Sequence, residues 1–438
     1  MYIRLIIILI FVGFFSNDLK SKELNIIRDA EIENFLKDIS SVLLESVEAK
    51  ENKLEFYLDN KKYINASVIP GPKFFFTTKL LLDSESLDQI AGVVAHELGH
   101  VLGGHFTKIN KAYQDSAFIS ILSTILAIGA TVGGSPEAGN ALILGGQHFS
   151  QANLLSFSRT QESFADQTSI RLLGNSGFSI NGLVQMFKLL EKNEKFKRYN
   201  PYFLTHPLSS KRKQDVKIHA KNQKNIKEFP ELENRYKLIK AKLNGFFLDK
   251  KILHSRYKKI NNLESYYAFS LRNYKVGKVK KAIEYIDKCI EIKPHNPYFR
   301  ELKGQIYYEN GNIRDAIKEF RYAIDLSPKE KSFKLFLAKA LYNENSSESF
   351  NESIKLLWNY IKNDNFPLEA WHYLGLNYGK LKKFDYSSYA FAEKFFLVNQ
   401  IKNAKIHMEK VKKISKDPFI LNKIADLEYE IKKKEKNE

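Results

Sequence analysis

His96, Glu97 and His100 stand in the order His-Glu-Leu-Gly-His, within the run QIAGVVAHELGHVLGGH. Histidines four residues apart lie on one face of a helix, where two imidazoles can share a divalent cation such as Zn²⁺. Glu97 follows His96 directly and would stand beside that cation. There it could take a proton from an attacking water as a general base. The competing reading is a helix with two ordinary surface histidines. The neighbours argue against it. Val93, Val94, Ala95, Leu98 and Val101 make the helix apolar, so these polar groups would be buried without partners unless they bind something.

Two histidines leave a catalytic zinc site incomplete, because such sites use three protein ligands and keep one position open. The third ligand should be His, Glu or Asp from another element. Glu162 is the best candidate, in the helical run Ser158-Arg159-Thr160-Gln161-Glu162-Ser163-Phe164-Ala165-Asp166. Asp166 falls one turn later on the same face. It could accept a hydrogen bond from a ligand histidine and so fix its tautomer. Taken alone, both acids read as solvated helix surface. The histidine pair upstream is what favours the sharper reading.

The elements that must position these residues follow from periodicity. Residues 24–48 place Ile26, Ile27, Ile32, Phe35, Leu36 and Ile39 at helical spacing. Residues 53–82, rich in Tyr, Phe, Val, Ile and Thr, predict strands around a turn at Pro70-Gly71-Pro72. Residues 86–108 return to a helix. Residues 117–149 are apolar and small, broken by Gly133-Gly134-Ser135-Pro136, and each arm is too short to span a bilayer. They read as a helix pair that either covers the site or touches a membrane. Residues 153–195 are helical with a break from Gly174 to Gly177, residues 198–212 form a loop, and residues 213–262 make a partly helical connector.

From about residue 264 the sequence repeats. Ala282 and Ala316, Pro294 and Pro328, and Gly277 and Gly311 are each 34 residues apart. The small residue of the first helix recurs at Gly304, Ala338 and Gly375, and Trp371, Leu374, Gly375 and Tyr378 match the tetratricopeptide signature. That period means paired antiparallel helices stacked into a solenoid, here about four repeats and a final helical segment near 401–430.

The motifs together resemble the CAAX prenyl-protease/HtpX metallopeptidase family, in its exported branch with C-terminal tetratricopeptide repeats. The resemblance rests on His96-Glu97-Leu98-Gly99-His100, then Arg159, Glu162, Ala165 and Asp166, and then His206-Pro207 with Arg212 six residues beyond His206. It implies a gluzincin fold in which His96, His100 and Glu162 bind one Zn²⁺ and Glu97 is the base. It brings His206 to the metal from a loop, either to occupy the fourth position at rest or to stabilise the oxyanion. Arg212 would orient that loop or pair with a nearby acid. Asn65, before the Pro-Gly turn, resembles the family's substrate-binding strand. A second proline, Pro72, stands where the family's pattern has glycine. The resemblance further implies a periplasmic zinc endopeptidase acting on unfolded or misassembled envelope polypeptides, with the repeats docking substrate or outer-membrane assembly machinery. A chaperone or adaptor with a latent, self-inhibited metal site is the alternative.

The fold expected is therefore mainly α: an α+β metallopeptidase domain at 23–220, a helical connector at 221–263, an α-solenoid at 264–430 and a charged tail at 431–438. Residues 1–22 carry Arg4 and then the apolar run Leu5 to Phe15, the layout of a secretory signal peptide or a short uncleaved anchor. The net charge of +19 is uneven: 24 basic against 22 acidic residues up to Ala220, and 45 against 28 thereafter. The surplus is either a solvated lysine-rich helical surface or an attraction to anionic lipid or acidic partners. No nucleic-acid-binding signature accompanies it, so no nucleic acid is expected. The lone Cys289 excludes an intrachain disulfide and reads as a small buried hydrophobe.

Overall fold

The computed structural model describes residues 26–49, 53–69, 71–105, 151–196, 206, 208–257, 259, 261–364 and 367–437. The segment 1–22 expected to be a signal peptide or anchor, the apolar run 117–149, Pro70 and Pro207 lie outside these residues. Helix α1 (Ala30–Glu45) begins at Asp29, whose carboxylate accepts the Ile32 amide at 3.1 Å. Its buried stripe is Phe35, Leu36, Ile39 and Leu43.

The helix predicted from residue 24 starts later than its spacing suggests. Ile26–Ile27 instead form strand β1, antiparallel to β2 (Glu55–Asp59), with Ile26 opposite Asp59. Strands β3 (Ala66–Ile69) and β4 (Lys73–Thr77) complete a four-stranded sheet of order β1-β2-β4-β3. Strands β2 and β4 run parallel, and β3 pairs antiparallel with β4 as an edge strand, with Ile69 opposite Lys73 and Gly71 at φ +90° between them. The predicted strand region ends at Thr77. Its hydroxyl accepts the Leu80 amide at 3.3 Å and starts α2 (Thr78–Asp83), so a cap overrides the β-propensity of that apolar run.

Helix α3 (Leu87–Leu102) starts at Ser86, which accepts the Gln89 amide at 3.2 Å. It is buried from Gln89 to His100, because α1, β3, α4 (Gln151–Ser176) and α5 (Asn181–Phe196) all pack against it. Helix α4 continues through Gly174, and the predicted break comes at Gly177, φ +95°. The predicted loop 198–212 stops at Ser209, whose hydroxyl accepts the Arg212 amide at 3.2 Å. Arg212 thus lies in the first turn of α6 (Ser210–Asn222), not in the loop.

Helix α7 (Pro230–Phe247) belongs to two cores at once. Leu232, Tyr236, Ile239 and Leu243 join the first-half core with Phe35 and Phe74. Leu238 and Ala241 join Tyr267 and Phe299 of the repeats. After α8 (Lys250–Tyr257) the chain forms five antiparallel pairs. They are α9 (Leu263–Lys275) with α10 (Val279–Ile292), α11 (Pro297–Glu309) with α12 (Ile313–Leu326), α13 (Lys331–Glu344) with α14 (Ser347–Ile361), α15 (Leu368–Lys380) with α16 (Phe384–Leu397), and α17 (Ile401–Ile414) with α18 (Pro418–Asn437). The final segment is itself a pair. A Cβ on Gly304 would sit 2.7 Å from the Phe320 ring, which is why that position is small. Cys289 is fully buried.

A solenoid can wrap a partner or its own chain, and this one curls back on its own first half. Asn34 on α1 donates to Tyr298 Oη at 3.1 Å and to Glu330 Oε2 at 2.6 Å. Glu31 accepts Lys242 Nζ at 3.0 Å and Tyr267 Oη at 2.7 Å. Arg28 reaches Asp364 at 3.5 Å. A cavity of about 1500 Å³ remains between the repeats, α1 and the β1–β2 edge. No helix among the described residues is long and apolar enough to cross a membrane.

Candidate metal centre

Helices α3 and α4 meet at Gly99. A Cβ there would lie 2.7 Å from the Ala165 carbonyl oxygen and 2.8 Å from its Cα, so glycine is what allows the two backbones to approach this closely. The approach brings Glu162 and Asp166 of α4 over His96 and His100 of α3. His206 enters between them.

His96, His100, Glu162 and His206 each offer one donor atom, all within 4.8 Å of one another and all buried. His96 Nε2 is 3.3 Å from His100 Nε2, 3.3 Å from Glu162 Oε2 and 3.4 Å from His206 Nδ1. Glu162 Oε1 is 3.4 Å from His100 Nε2 and 3.0 Å from His206 Nδ1. Ligands about 2.0–2.1 Å from a tetrahedral zinc ion stand about 3.3 Å apart, so these spacings are those of a coordination shell. Three imidazoles and a carboxylate also suit that ion chemically. Both carboxylate oxygens of Glu97 are buried and make no hydrogen bond, and Oε1 lies 3.6 Å from His206 Nε2.

Outside this ring, His96 Nδ1 is 3.2 Å from Asp166 Oδ1. Arg212 donates from Nε and Nη2 to the two oxygens of Asp166, and its Nη1 forms an ion pair with Glu162 Oε2 at 2.8 Å. The structure thus brings together His96, Glu97, His100, Glu162, Asp166, His206 and Arg212. Asn65 is engaged elsewhere. At the start of β3 its amide donates to Thr77 Oγ1 at 2.9 Å and its carbonyl accepts the Thr77 amide at 3.0 Å.

The charges respond to this crowding. Burial raises the Glu97 pKa, against the pull of His206 and His96. Burial would raise Glu162 as well, but His206 and His96 outweigh it and hold the carboxyl well below its usual range. Asp166 is lowered for a like reason: burial opposes, and Arg212 and His96 prevail. Burial and the neighbouring His96 and His206 hold His100 well below 6.5, while the Asp166 and Glu162 carboxylates overcome burial and lift His96 to about 10.

One buried residue at the site escapes helical periodicity. His105 Nδ1 lies 2.9 Å from His100 Nδ1. It follows the end of α3, and the sequence signal that could have found it is the third histidine and glycine pair of HVLGGH.

Comparison with known proteins agrees with this geometry. The family model for peptidase family M48 matches residues 28–219, and the tetratricopeptide repeat model matches residues 263–296 and 299–330. A beta-barrel assembly-enhancing protease of Escherichia coli (strain K12) is 25% identical over 392 residues, covering 86% of this chain and 78% of that one. The protein of that name from Yersinia pestis is 25% identical over 348 residues, 76% of this chain and 70% of its own. The metalloprotease YcaL of Escherichia coli (strain K12) is 34% identical over 137 residues, 31% of this chain and 51% of the other. Residues 28–219 are therefore a metallopeptidase domain of peptidase family M48, joined in this chain to tetratricopeptide repeats.

Proposed function

We propose that the protein is a zinc-dependent endopeptidase of the periplasm that cuts envelope polypeptides which have failed to assemble. The observation that carries this reading is the buried ring of four donors with the Glu97 carboxylate beside it, buried and making no hydrogen bond. His96, His100 and Glu162 would hold Zn²⁺, which when bound would polarise a peptide carbonyl and make water acidic enough to attack it at neutral pH. Glu97 takes the proton of the attacking water and returns it to the leaving amine. Its burial makes it a stronger base than an exposed carboxylate. Asp166 holds His96 through Nδ1, and Arg212 holds both carboxylates, so Arg212 works by positioning.

Strand β3 is an edge of the sheet and packs on α3. An extended substrate would add to it as a further strand, with Asn65 at its start. The repeats would present substrate or dock on outer-membrane assembly machinery, in line with the name of the Escherichia coli relative. The lysine-rich second half would favour an anionic membrane surface. One observation favours the alternative, a binding protein with a latent site: His206 itself sits in the ring, where it would fill the fourth position.

The test is zinc content and casein cleavage by the purified protein. Wild type should carry one zinc per chain and cut. Glu97→Gln should keep its zinc and lose cleavage by about 10²–10⁴-fold, the worth of a general base. A chain that binds no zinc ends the reading. One that binds zinc and never cuts leaves the binding-protein alternative.

A further inference from the structure

Only one nitrogen of His100 faces the ring of donors. Nε2 is 3.3 Å from His96 Nε2 and 3.4 Å from Glu162 Oε1. Nδ1 lies on the far edge of the imidazole, 2.9 Å from Nδ1 of His105. We infer that His105 is a positioning residue for the metal centre: its Nδ1 accepts a hydrogen bond from His100 Nδ1–H and locks His100 in the tautomer whose Nε2 lone pair faces the cation. The inference rests on the metal-centre reading of the ring.

Two nitrogens 2.9 Å apart need one proton between them. An imidazole that ligates through Nε2 carries its proton on Nδ1. His100 is therefore the donor, His105 the acceptor, and the remaining proton of a neutral His105 is on its Nε2. Its position behind His100 keeps His105 out of the donor ring.

The local chain is built to make this contact. In a continuous helix a residue five positions on is rotated by about 140° from the first and cannot face it. Here α3 ends at Leu102, and Gly104 at φ +59° turns the chain back so that His105 returns to His100. A Cβ on Gly103 would meet His105 Nε2 at 2.6 Å and the Phe164 ring at 2.8 Å, so a side chain there would have to push one of these rings aside. The ring is 4% exposed and packs edge-on between His100 and Phe164, with centroids 5.1 and 5.5 Å away.

The choice of partner also fits the charge. His96 has a carboxylate at its Nδ1, and Arg212 offsets that carboxylate. A carboxylate behind His100 would add another anion to a buried site that already holds Glu97, Glu162 and Asp166. A neutral imidazole fixes the tautomer and adds no charge.

Zinc affinity of the full chain, by competition with a chromophoric chelator, tests this, with the melting temperature of the metal-free protein as control. His105→Phe keeps the ring and loses the acceptor, and should raise the zinc Kd by about 10–100-fold. His105→Asn returns an oxygen near where Nδ1 stood and should bind zinc close to wild type, even if its metal-free melting temperature falls. Should the Phe chain not fold, His105→Leu provides the same contrast. The inference is overturned if the acceptor-less variant binds zinc as tightly as wild type, or if the Asn variant is weakened equally, which would leave only ring packing. A wild type that binds no zinc overturns the metal-centre reading together with it.

Discussion

Arg212 holds Asp166 at two points, Nε 2.6 Å from Oδ2 and Nη2 2.8 Å from Oδ1, while that same Oδ1 lies 3.2 Å from His96 Nδ1. With Nη1 on Glu162, one planar guanidinium sets the direction of two groups on the metal side. A lysine keeps the charge but cannot make parallel bonds to both Asp166 oxygens while also pairing with Glu162. Arg212→Lys is therefore expected to weaken zinc binding by about 10–100-fold while the far-ultraviolet circular dichroism stays that of wild type. Unchanged zinc affinity would show that Arg212 balances charge without orienting the site.

Gly99 is the contact on which the two helices that carry the donor ring depend. Alanine there would place a carbon 2.7 Å from the Ala165 carbonyl oxygen, and backbone cannot swing away as a long side chain can. Overpacking of this kind costs about 1–3 kcal/mol. Because the displaced helix carries Glu162, zinc binding should fall as well. Calorimetry and zinc competition on Gly99→Ala check both. A stable variant with full zinc affinity would mean that α4 can shift without cost.

His206 shares the donor ring, with Nδ1 3.0 Å from Glu162 Oε1. A group in the position that substrate must use lowers the fraction of competent enzyme. His206→Ala should accordingly keep its zinc and cut casein faster than wild type. Cleavage that drops to background in this variant would assign His206 to the oxyanion instead.

Most of the donor ring is legible in the sequence because its spacing is local. His96 and His100 share one helical turn, and Glu162 and Asp166 share another, so period alone predicts which residues face the same way. His105 was not legible, because it reaches His100 through a chain reversal at Gly104 that no helical period encodes. Strand β1 is hidden in the sequence for a related reason. Ile26 and Ile27 have helix-compatible spacing, and their strand partners Asp59 and Leu58 are distant in sequence. The solenoid's folding back is less visible still. It depends on pairs such as Asn34 with Tyr298 and Glu31 with Tyr267, each of which reads as an ordinary surface residue until the contact exists.

That junction predicts a pH dependence. Glu301 of α11 is buried beside Lys242, Asp29, Glu31 and Glu330, and accepts a bond from Gln305. Burial lifts its pKa from 4.5 to about 8, Lys242 opposes the rise, and the surrounding acids add to it. The folded chain thus keeps a proton on Glu301 that the unfolded chain gives up near pH 4.5. A raised folded pKa contributes stability that is complete below the unfolded value and is lost as pH climbs through the folded one. Wild type should therefore melt at progressively lower temperature as pH rises from about 4.5 to about 8. Glu301→Gln mimics the protonated form and should flatten that slope. The difference at the alkaline end is expected to be about 2–4 °C, the shift that 1 kcal/mol produces in a domain of this size class. Parallel slopes for the two proteins would place the titration elsewhere. A variant that melts lower at every pH would mean that Glu301 works ionised, as a partner of Lys242.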